Sequence, residues 1–429
     1  MRVQLDSTPR PAFVRSRLRA AACVLLAAGV PAAARADDAA PKYQLDASGL
    51  LYGEQGRANV VEPVAKLTRL FDNGASLGGQ FTLDVITGAS PTGARPTTSI
   101  QTITNASGTS STVQANQLPV TAFHDRRMAG DIDWTQPVGA LFNATSSAHA
   151  SVEKDYSSLG AGETFSLDTF HRLITWSLGG SYSHDLVFPV GGTPVGLTAG
   201  GAFTGVARNP KDVTSVMAGV SRILSRQWMV ALNATSIYER GYLTEPYKVV
   251  SILDPVSQNP TSFLTENRPT RRSRYNITAS SVYHLTPDVL YASYRYYWDD
   301  WQLGSHTLDL RFRHELGNDS FLQPHFRFYT QSAAKFFTLG LIQGAPLPDF
   351  ASSDQRLSHF NSVTLGLTYG FKPHGYPGEW TIRAEYIAQF QKVNLGPTEG
   401  TDGAPVQTAP DAFPLLNIGT LTAGYSLSF

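Results

Sequence analysis

The segment WTIRAEYIAQFQ, residues 380–391, alternates between apolar and polar side chains. Its even-numbered side chains from Trp380 to Phe390 are all apolar, whereas its odd-numbered ones are polar or charged, except for Ile387. Successive side chains of a β-strand point to opposite faces. The pattern therefore predicts a strand with one face in an apolar medium and the other in a polar one.

The same alternation recurs along the chain in segments separated by turn chemistry. Sixteen of them are predicted as strands, at residues 43–54, 58–71, 75–86, 123–136, 140–152, 156–167, 171–185, 212–224, 227–239, 273–285, 288–299, 304–316, 319–331, 357–371, 379–391 and 417–429. Links after the even-numbered strands are short, such as QPVG and LGND. Several links after odd-numbered strands are long and rich in Gly, Pro, Ser or Thr, at residues 87–122, 186–211, 240–272, 332–356 and 392–416.

Short turns at one end, long loops at the other and an even strand count predict an all-β, transmembrane, antiparallel up-and-down β-barrel. About sixteen strands are expected, within a range of 14–18, because predicted strand ends shift by a few residues. The turns would lie on the periplasmic side and the loops on the extracellular side. A secreted β-sandwich would also alternate, but its strands are usually shorter.

The first 36 residues have the pattern of a secretory signal peptide: a basic start, the apolar run AAACVLLAAGV and small residues before Ala36. We therefore expect a removed signal (1–36), a short periplasmic segment (37–42) and an outer-membrane barrel (43–429). The one cysteine, Cys23, lies in the removed part. Without the signal the chain has 28 basic and 33 acidic residues, and this mild acidity gives no reason to expect nucleic acid as a partner.

The last predicted strand ends in LTAGYSLSF, with Tyr425, Leu427 and Phe429 on its apolar face. A terminal Phe preceded by alternating apolar residues is similar to the signal that the barrel-assembly machinery recognises. These three residues are therefore candidates for an assembly signal.

From about Leu83 to Gln391 the chain resembles a family of bacterial outer-membrane proteins catalogued as a domain of unknown function, number 3570. The resemblance is carried by DVITGASPTGA (84–94), EKDYSSLG (153–160), GYLTEPYKVVSILD (241–254), ENRPTRRSR (266–274), YRYYWDDWQLGSHTLDLRFRHEL (294–316), QPHFRFYTQSAAKFF (323–337) and FASSDQRLS (350–358). It implies a membrane barrel but no established activity. Members are often encoded near periplasmic flavin-attachment proteins, which implies an envelope redox context.

Predicted strands eleven to fifteen carry many charges on the face opposite the apolar one. If the apolar face meets lipid, the lumen is lined by Arg295, Asp299, Asp309, Arg311, Arg313, Glu315, His325, Arg327, Tyr329, Arg383 and Glu385. Two interpretations stay open: charged rows that select solutes at a constriction, or interior ion pairs that only stabilise the wall. The arginines would suit carboxylate or phosphate groups.

The segment ENRPTRRSR places four arginines at the outer end of predicted strand ten. They either bind phosphates of surface lipopolysaccharide or anchor a loop by salt bridges, and anchoring is preferred. The four are Arg268, Arg271, Arg272 and Arg274.

No hydrolase, metalloprotease or nucleotide-binding motif occurs in the sequence, so neither an enzymatic activity, a metal nor a cofactor is predicted. The predicted function is a porin-like outer-membrane channel for passive passage of small polar or anionic solutes. The alternative is a non-conducting barrel that is the membrane component or docking site of an envelope redox or flavoprotein system. Expected partners are outer-membrane lipid, lipopolysaccharide and the barrel-assembly machinery, with a periplasmic partner and a homo-oligomer left open.

Overall fold

The structure is a computed structural model, and it describes residues 42–104, 110–317, 319–391 and 415–429. The predicted signal peptide, most of the predicted periplasmic segment and nearly all of the last predicted loop lie outside the described residues. Among the described residues, no helix is long and apolar enough to cross a membrane.

The described residues form 21 strands, numbered here in chain order, and one short 3-10 helix, Gln355–Leu357. The strands are β1 (Tyr43–Glu54), β2 (Asn59–Leu70), β3 (Ser76–Pro91), β4 (Gln101–Thr104), β5 (Ser110–Val113), β6 (Val120–Val138), β7 (Phe142–Val152), β8 (Tyr156–Thr169), β9 (Ile174–Val187), β10 (Asn209–Ser225), β11 (Trp228–Gly241), β12 (Val249–Leu253), β13 (Pro260–Thr265), β14 (Arg271–His284), β15 (Val289–Asp299), β16 (Gly304–Glu315), β17 (Ser320–Gln331), β18 (Leu341–Ile342), β19 (Phe360–Phe371), β20 (Glu379–Phe390) and β21 (Leu416–Ser428).

Sixteen of these strands, all except β4, β5, β12, β13 and β18, form one closed barrel. Each barrel strand pairs with the barrel strands before and after it in the chain, and β21 pairs with β1. Every pairing in the barrel is antiparallel, and the closing pair sets Leu51 opposite Leu421. This architecture confirms the predicted fold class and the predicted number of strands. Seven short turns and both ends of the described barrel lie at one rim, called here the turn end; the long loops leave from the other rim, called the loop end.

The outer surface of the barrel is apolar because the alternating side chains of each strand point outward in turn. On β20, Trp380, Ile382 and Tyr386 are exposed on the outside, while Arg383 and Glu385 hydrogen-bond to side chains of other strands inside. Leu159, 68% exposed, is one of many large apolar side chains exposed on this surface, and an extensive exposed apolar surface indicates contact with an apolar medium. The barrel therefore has the outward apolar and inward polar faces of a membrane-spanning barrel.

Aromatic side chains mark both rims of this apolar surface. At the turn end, Trp228 packs edge-on against Tyr283 with ring centroids 6.3 Å apart. At the loop end, Tyr275 and Trp298 stack with ring centroids 5.5 Å apart. Two such rims correspond to the two interfaces of a bilayer.

The last strand closes the barrel through the residues predicted as an assembly signal. Tyr425 packs against Trp380 and donates a hydrogen bond to the carbonyl oxygen of Pro377 at 3.0 Å. Leu427 lies opposite Leu45 in the β1 pairing, and the Phe429 ring is exposed and stacks on Tyr43. Their recognition by an assembly machinery stays a prediction.

Three segments predicted as plain loops contain further strands, so this part of the prediction was wrong. β12 lies between β13 of its own loop and β18 of the loop after β17, and β4 pairs with β5. The β12–β18 pairing is parallel and joins segments about ninety residues apart. Strands this short have too few residues to show a clear alternation of apolar and polar side chains. Their stability comes from pairing with neighbouring loops.

The described parts of four loops pack together and form a layer called here the cap: 92–119, 188–208, 242–270 and 332–359. The loop 242–270 contacts each of the other three. Val249 donates to the carbonyl oxygen of Thr92 at 2.8 Å, and Thr265 donates to that of Thr198 at 2.8 Å. Asn267 and Ala351 exchange two backbone hydrogen bonds of 3.0 Å.

A glycine at the loop end allows close approach of two barrel strands. Gly241 has a φ of +120°, and a Cβ there would lie 2.2 Å from the carbonyl oxygen of Pro210 on β10. We expect Gly241→Ala to lower the free energy of unfolding by about 1–3 kcal/mol, because both the φ angle and the contact become strained. Urea unfolding of the refolded barrel measures this change.

The matched control is Gly130→Ala on β6, where an added Cβ meets nothing within 4 Å. Equal destabilisation by both substitutions would contradict the predicted close approach at Gly241.

Candidate functional site

The barrel encloses a cavity of about 1120 Å³. At the turn end it is lined by Asp46, Ser76 and Glu379, and it reaches Arg295 and Tyr329 near the loop end. Its described lining comes from the barrel strands and their turns and includes no residue of the cap. A smaller cavity of about 80 Å³ lies between the barrel wall and the cap.

A chain of polar contacts runs across neighbouring strands beneath the cap. Ser158 on β8 donates to the Asp185 carboxylate on β9 at 2.6 Å. Lys211 on β10 lies 3.8 Å from Asp185 and 3.6 Å from Glu239 on β11. Arg274 on β14 bonds Glu239 at 2.9 Å.

The same chain continues on β14 and β15. Arg272 makes an ion pair of 2.6 Å with Asp299, and the Tyr297 hydroxyl donates to the same carboxylate at 2.8 Å. The Arg272 guanidinium also lies over the ring of Trp301, 4.1 Å from its centroid. Trp301 packs with Phe336 and Leu357 of the cap, so these charges connect the barrel wall to the cap.

The eleven predicted lumen residues all occupy strand positions that alternate with the exposed apolar ones. Two of them, Arg295 and Tyr329, line the large cavity. Asp299 is buried in the contacts just described. Arg313 pairs with Glu315 at 2.5 Å on one strand.

A histidine bridges two further predicted lumen residues. His325 on β17 lies 2.9 Å from Asp309 on β16 and 2.8 Å from Glu385 on β20. Gly366 on β19 stands between these strands, and a Cβ there would lie 2.8 Å from the Glu385 side chain. Asp309 also pairs with Arg311 at 3.2 Å. The charges in this part of the barrel wall therefore compensate one another.

Three predicted arginines differ from the others. Within the described part of the chain, Arg295, Arg327 and Arg383 have no carboxylate oxygen within 4.0 Å. Arg295 donates only to the Thr307 hydroxyl, at 3.3 Å, and Arg383 to the Thr368 hydroxyl, at 3.2 Å. Of the three, Arg295 lines the large cavity, and Arg327 lies opposite Asp309 in the β16–β17 pairing.

The wall formed by the early strands carries carboxylates instead. Asp133 pairs with Lys66 at 2.9 Å, and Asp131 with His149 at 2.7 Å. Asp46 accepts hydrogen bonds from Gln44 and Ser426, which are neutral donors. Asp168 likewise accepts from the Thr175 hydroxyl at 2.6 Å. The lumen thus carries charges of both signs on different strands.

The four arginines of ENRPTRRSR separate in the structure. Arg268, Arg272 and Arg274 turn inward and bond carboxylates, whereas Arg271 is exposed on the outer side and lies opposite Arg240 on β11. The three inward arginines have the salt bridges that loop anchoring requires, and only Arg271 lies where a lipid headgroup could reach it.

The centre of the cap contains six charged side chains, of which the sequence analysis names only Arg268. Arg268 lies 2.6 Å from Glu266 and 2.8 Å from Asp354, and Arg356 lies 3.2 Å from Glu245 and 2.5 Å from Asp354. The sixth is Lys248, whose ammonium donates to Ser90 and to the carbonyl oxygen of Pro91. Three acids and three bases make the cluster neutral.

Burial and charge act in opposite directions on this cluster. Burial alone would raise the pKa of the Asp354 carboxyl, but the cations of Arg356, Lys248 and Arg268 outweigh it and lower that pKa. Burial lowers the pKa of the Lys248 ammonium. Because Asp354 stays ionised, it holds the two guanidinium groups of the cap in place.

A second polar group joins the cap to the barrel rim. The carboxylate oxygens of Asp125, Glu153 and Asp155 lie within 4.8 Å of one another, in a geometry that can hold a hard cation. The Tyr247 hydroxyl of the cap donates to Asp155 at 2.6 Å. Burial, followed by the Asp155 carboxylate, raises the pKa of the Tyr247 phenol, which therefore stays a donor.

One lumen side chain is connected to the cap by hydrogen bonds. The Tyr329 hydroxyl donates to Gln331 Oε1 at 2.7 Å. The Gln331 amide donates to the carbonyl oxygens of Arg356 at 3.0 Å and Ser358 at 2.6 Å. Gln331 is almost completely buried, so this link has no competition from bulk water.

A closed antiparallel barrel with an apolar outside and a polar lumen is a transmembrane β-barrel. The chain belongs to the family described as "Protein of unknown function (DUF3570)", whose model matches residues 15–406. This match confirms the resemblance stated above. Comparison with curated proteins gave no sequence match.

Solved structures that resemble the chain are distant from it. A mutant of the ferric enterobactin receptor (PfeA) from Pseudomonas aeruginosa has a TM-score of 0.42 and 11% identity over 83% of this chain and 54% of that one. The Pseudomonas putida toluene transporter TodX has a TM-score of 0.39 and 8% identity over 91% and 90%. The chain spans about half the length of the receptor.

The buried acid of the cap gives a direct test of its stability. We expect Asp354→Asn to destabilise the cap by about 3–5 kcal/mol, because Arg268 and Arg356 lose the carboxylate that they share. Hydrogen exchange of the amides in residues 248–254 should become faster, while exchange in the barrel strands stays slow. In the unchanged protein the same loosening is expected to grow progressively as the pH falls from the ordinary aspartate pKa of 3.8 toward the lowered pKa of Asp354, because the stabilisation is complete only above 3.8.

The control is Asp300→Asn, which removes an exposed acid at the same rim. Exchange in the cap should match that of the unchanged protein, and equal acceleration by the two substitutions would contradict the role given to Asp354.

Proposed function

We propose that the protein is an outer-membrane channel that passes small polar or anionic solutes passively through its charged lumen. The observation that carries the proposal is the polar cavity of about 1120 Å³ inside a barrel whose outside is apolar. A sixteen-stranded barrel is wide enough for a water-filled passage. The proposal requires neither chemical turnover nor a cofactor.

The three arginines that make no ion pair within 4.0 Å among the described residues support the passage of anions. Interior charges that are already paired act weakly on a passing solute, because their fields largely cancel. Among the described residues, Arg295 and Arg383 donate only to neutral hydroxyls, and Arg327 makes no ion pair within 4.0 Å, although it lies opposite Asp309. Rings or rows of arginine select for anions in other pores.

The cap determines when such a channel conducts. The cap lies above the chain of polar contacts that runs from β8 to β15, and hydrogen bonds join its four loops to one another. Solutes that cross this part of the loop end need the cap to move. We therefore infer that the described arrangement is the closed state of the passage.

The second candidate is a non-conducting barrel that acts as the membrane component or docking site of an envelope redox or flavoprotein system. The buried charges of the cap favour it, because a layer held by four ion pairs can serve as a permanent closure. In this case a periplasmic partner would bind at the turn end. Planar bilayers distinguish the two candidates.

A disulfide across the cap tests the channel directly. Asn267 and Ala351 form a hydrogen-bonded antiparallel pair, whose Cα separation of about 5.5 Å suits a disulfide. We expect Asn267→Cys combined with Ala351→Cys to conduct in planar bilayers under reducing conditions and to lose most conductance on oxidation. The single variant Asn267→Cys should conduct in both conditions. A folded barrel that is silent in every condition would favour the second candidate.

The charges of the lumen predict ion selectivity. Replacing Arg295, Arg327 and Arg383 together by Gln should shift the reversal potential in a salt gradient toward that of a cation-selective pore, because three positive charges are lost. Replacing Asp46 and Asp168 by Asn should shift it in the opposite direction. Unchanged reversal potentials in both variants would contradict the assignment of these side chains to the conducting lumen.

A further inference from the structure

The upper end of the large cavity, beneath the cap, is called here the ceiling. Arg295 and Tyr329 form part of it, together with Arg272, Tyr297 and Ser305. Arg327 is two residues from Tyr329 on the same face of β17. Arg327 does not itself line the cavity, but Thr307 on β16 lies opposite both Arg295 on β15 and Tyr329 on β17. Arg327 is therefore two strands away from Arg295 on the same inner face, where the two guanidinium charges repel each other.

The Arg295 guanidinium lacks the partners that the other ceiling arginine has. Arg272 bonds a carboxylate and a phenol hydroxyl, whereas the described neighbours of Arg295 offer it only the Thr307 hydroxyl. Its Nε is shielded from solvent and has no hydrogen-bond acceptor among the residues that the structure describes. A guanidinium does not lose its proton in proteins, so Arg295 cannot relieve this situation by becoming neutral.

Asp309 lies opposite Arg327 in the β16–β17 pairing and balances part of its charge, whereas Arg295 has no carboxylate within 4.0 Å among the described residues. Two neighbouring guanidinium groups with so little nearby negative charge are costly in a partly buried position. An oxyanion placed between them removes the repulsion and supplies acceptors for several N–H groups at once. The planar fork of arginine matches the two oxygens of a carboxylate or phosphate group. The hydroxyls of Tyr297 and Ser305 stand at the same end of the cavity.

We propose that the ceiling is a binding site for one oxyanion, a carboxylate or phosphate group of a solute, held by Arg295 and Arg327. This inference rests on the proposed function, because it names the chemical class of the solute that the channel would carry. The site lies at the inner face of the cap, where a solute would pause between the two sides of the passage.

The test measures binding to the detergent-solubilised barrel without any transport. The unfolding temperature is followed during titration with sodium phosphate and, separately, sodium acetate, with sodium chloride at the same ionic strength as the reference. We expect a saturable rise with at least one oxyanion that chloride does not reproduce. The response to phosphate against acetate shows which oxyanion the site prefers.

Three variants assign the rise to the ceiling. Arg295→Gln and Arg327→Gln should each weaken the apparent affinity by about tenfold or more, since each removes charge-assisted hydrogen bonds. Arg295→Lys, which keeps the charge but not the fork, should bind more weakly than the unchanged protein and more tightly than Arg295→Gln. Arg271→Gln removes an exposed outward arginine and should bind as the unchanged protein does.

A rise that chloride reproduces, or one that survives both glutamine substitutions, would overturn the site. Conductance decides the proposed function separately. If the barrel binds an oxyanion but never conducts, the binding site is supported and the proposed channel function is overturned. If it conducts but binds no oxyanion, the channel function is supported and the binding site is overturned.

Discussion

The structure depends on one constraint: a strand inside hydrocarbon has no water to bond its backbone, so every N–H and C=O must find a partner strand. The pairing of β21 with β1 satisfies the last two edges and turns a sheet into a barrel. Antiparallel order, short turns and an even number of strands are compatible with this closure. The alternation of side chains then has a fixed meaning, because one face meets lipid and the other faces the lumen.

A second constraint applies to the lumen and the cap, because charged side chains inside a low-dielectric barrel are costly unless they are compensated. Most of these charges are paired or lie in short chains of contacts. Examples are the pair of Lys66 with Asp133 and the chain of polar contacts that ends at Asp299. At the centre of the cap, three acids and three bases balance in number, and four ion pairs of 2.5–3.2 Å join all of them except Lys248. Against this background, Arg295 is one of the exceptions, because among the described residues only the Thr307 hydroxyl accepts a hydrogen bond from it. Exceptions of this kind are common where a protein meets its ligand.

The sequence predicts the barrel well because the two-residue period is local. Predicted strand 43–54 coincides with β1, whereas β3 continues to Pro91 beyond its predicted end at residue 86, because its pairing with β6 continues to Val120 and no local pattern shows this. The inward side of Arg295 or Glu385 follows from parity alone. Their partners do not, because the ion pairs join strands whose stagger is set by the closed barrel. The cap charges lie in the segments GYLTEPYKVVSILD, ENRPTRRSR and FASSDQRLS, but only folding brings those segments together.

The hydrogen bonds of Gln331 have a thermodynamic consequence. They join Tyr329 of the lumen to the backbone of Arg356 and Ser358 in the cap. If opening the cap changes the affinity of the ceiling by a given factor, occupancy of the ceiling changes the opening equilibrium by the same factor, because the two effects are one coupling free energy. Under the proposed function, the barrel would act as a valve in which opening of the cap and binding of the solute are reciprocally linked.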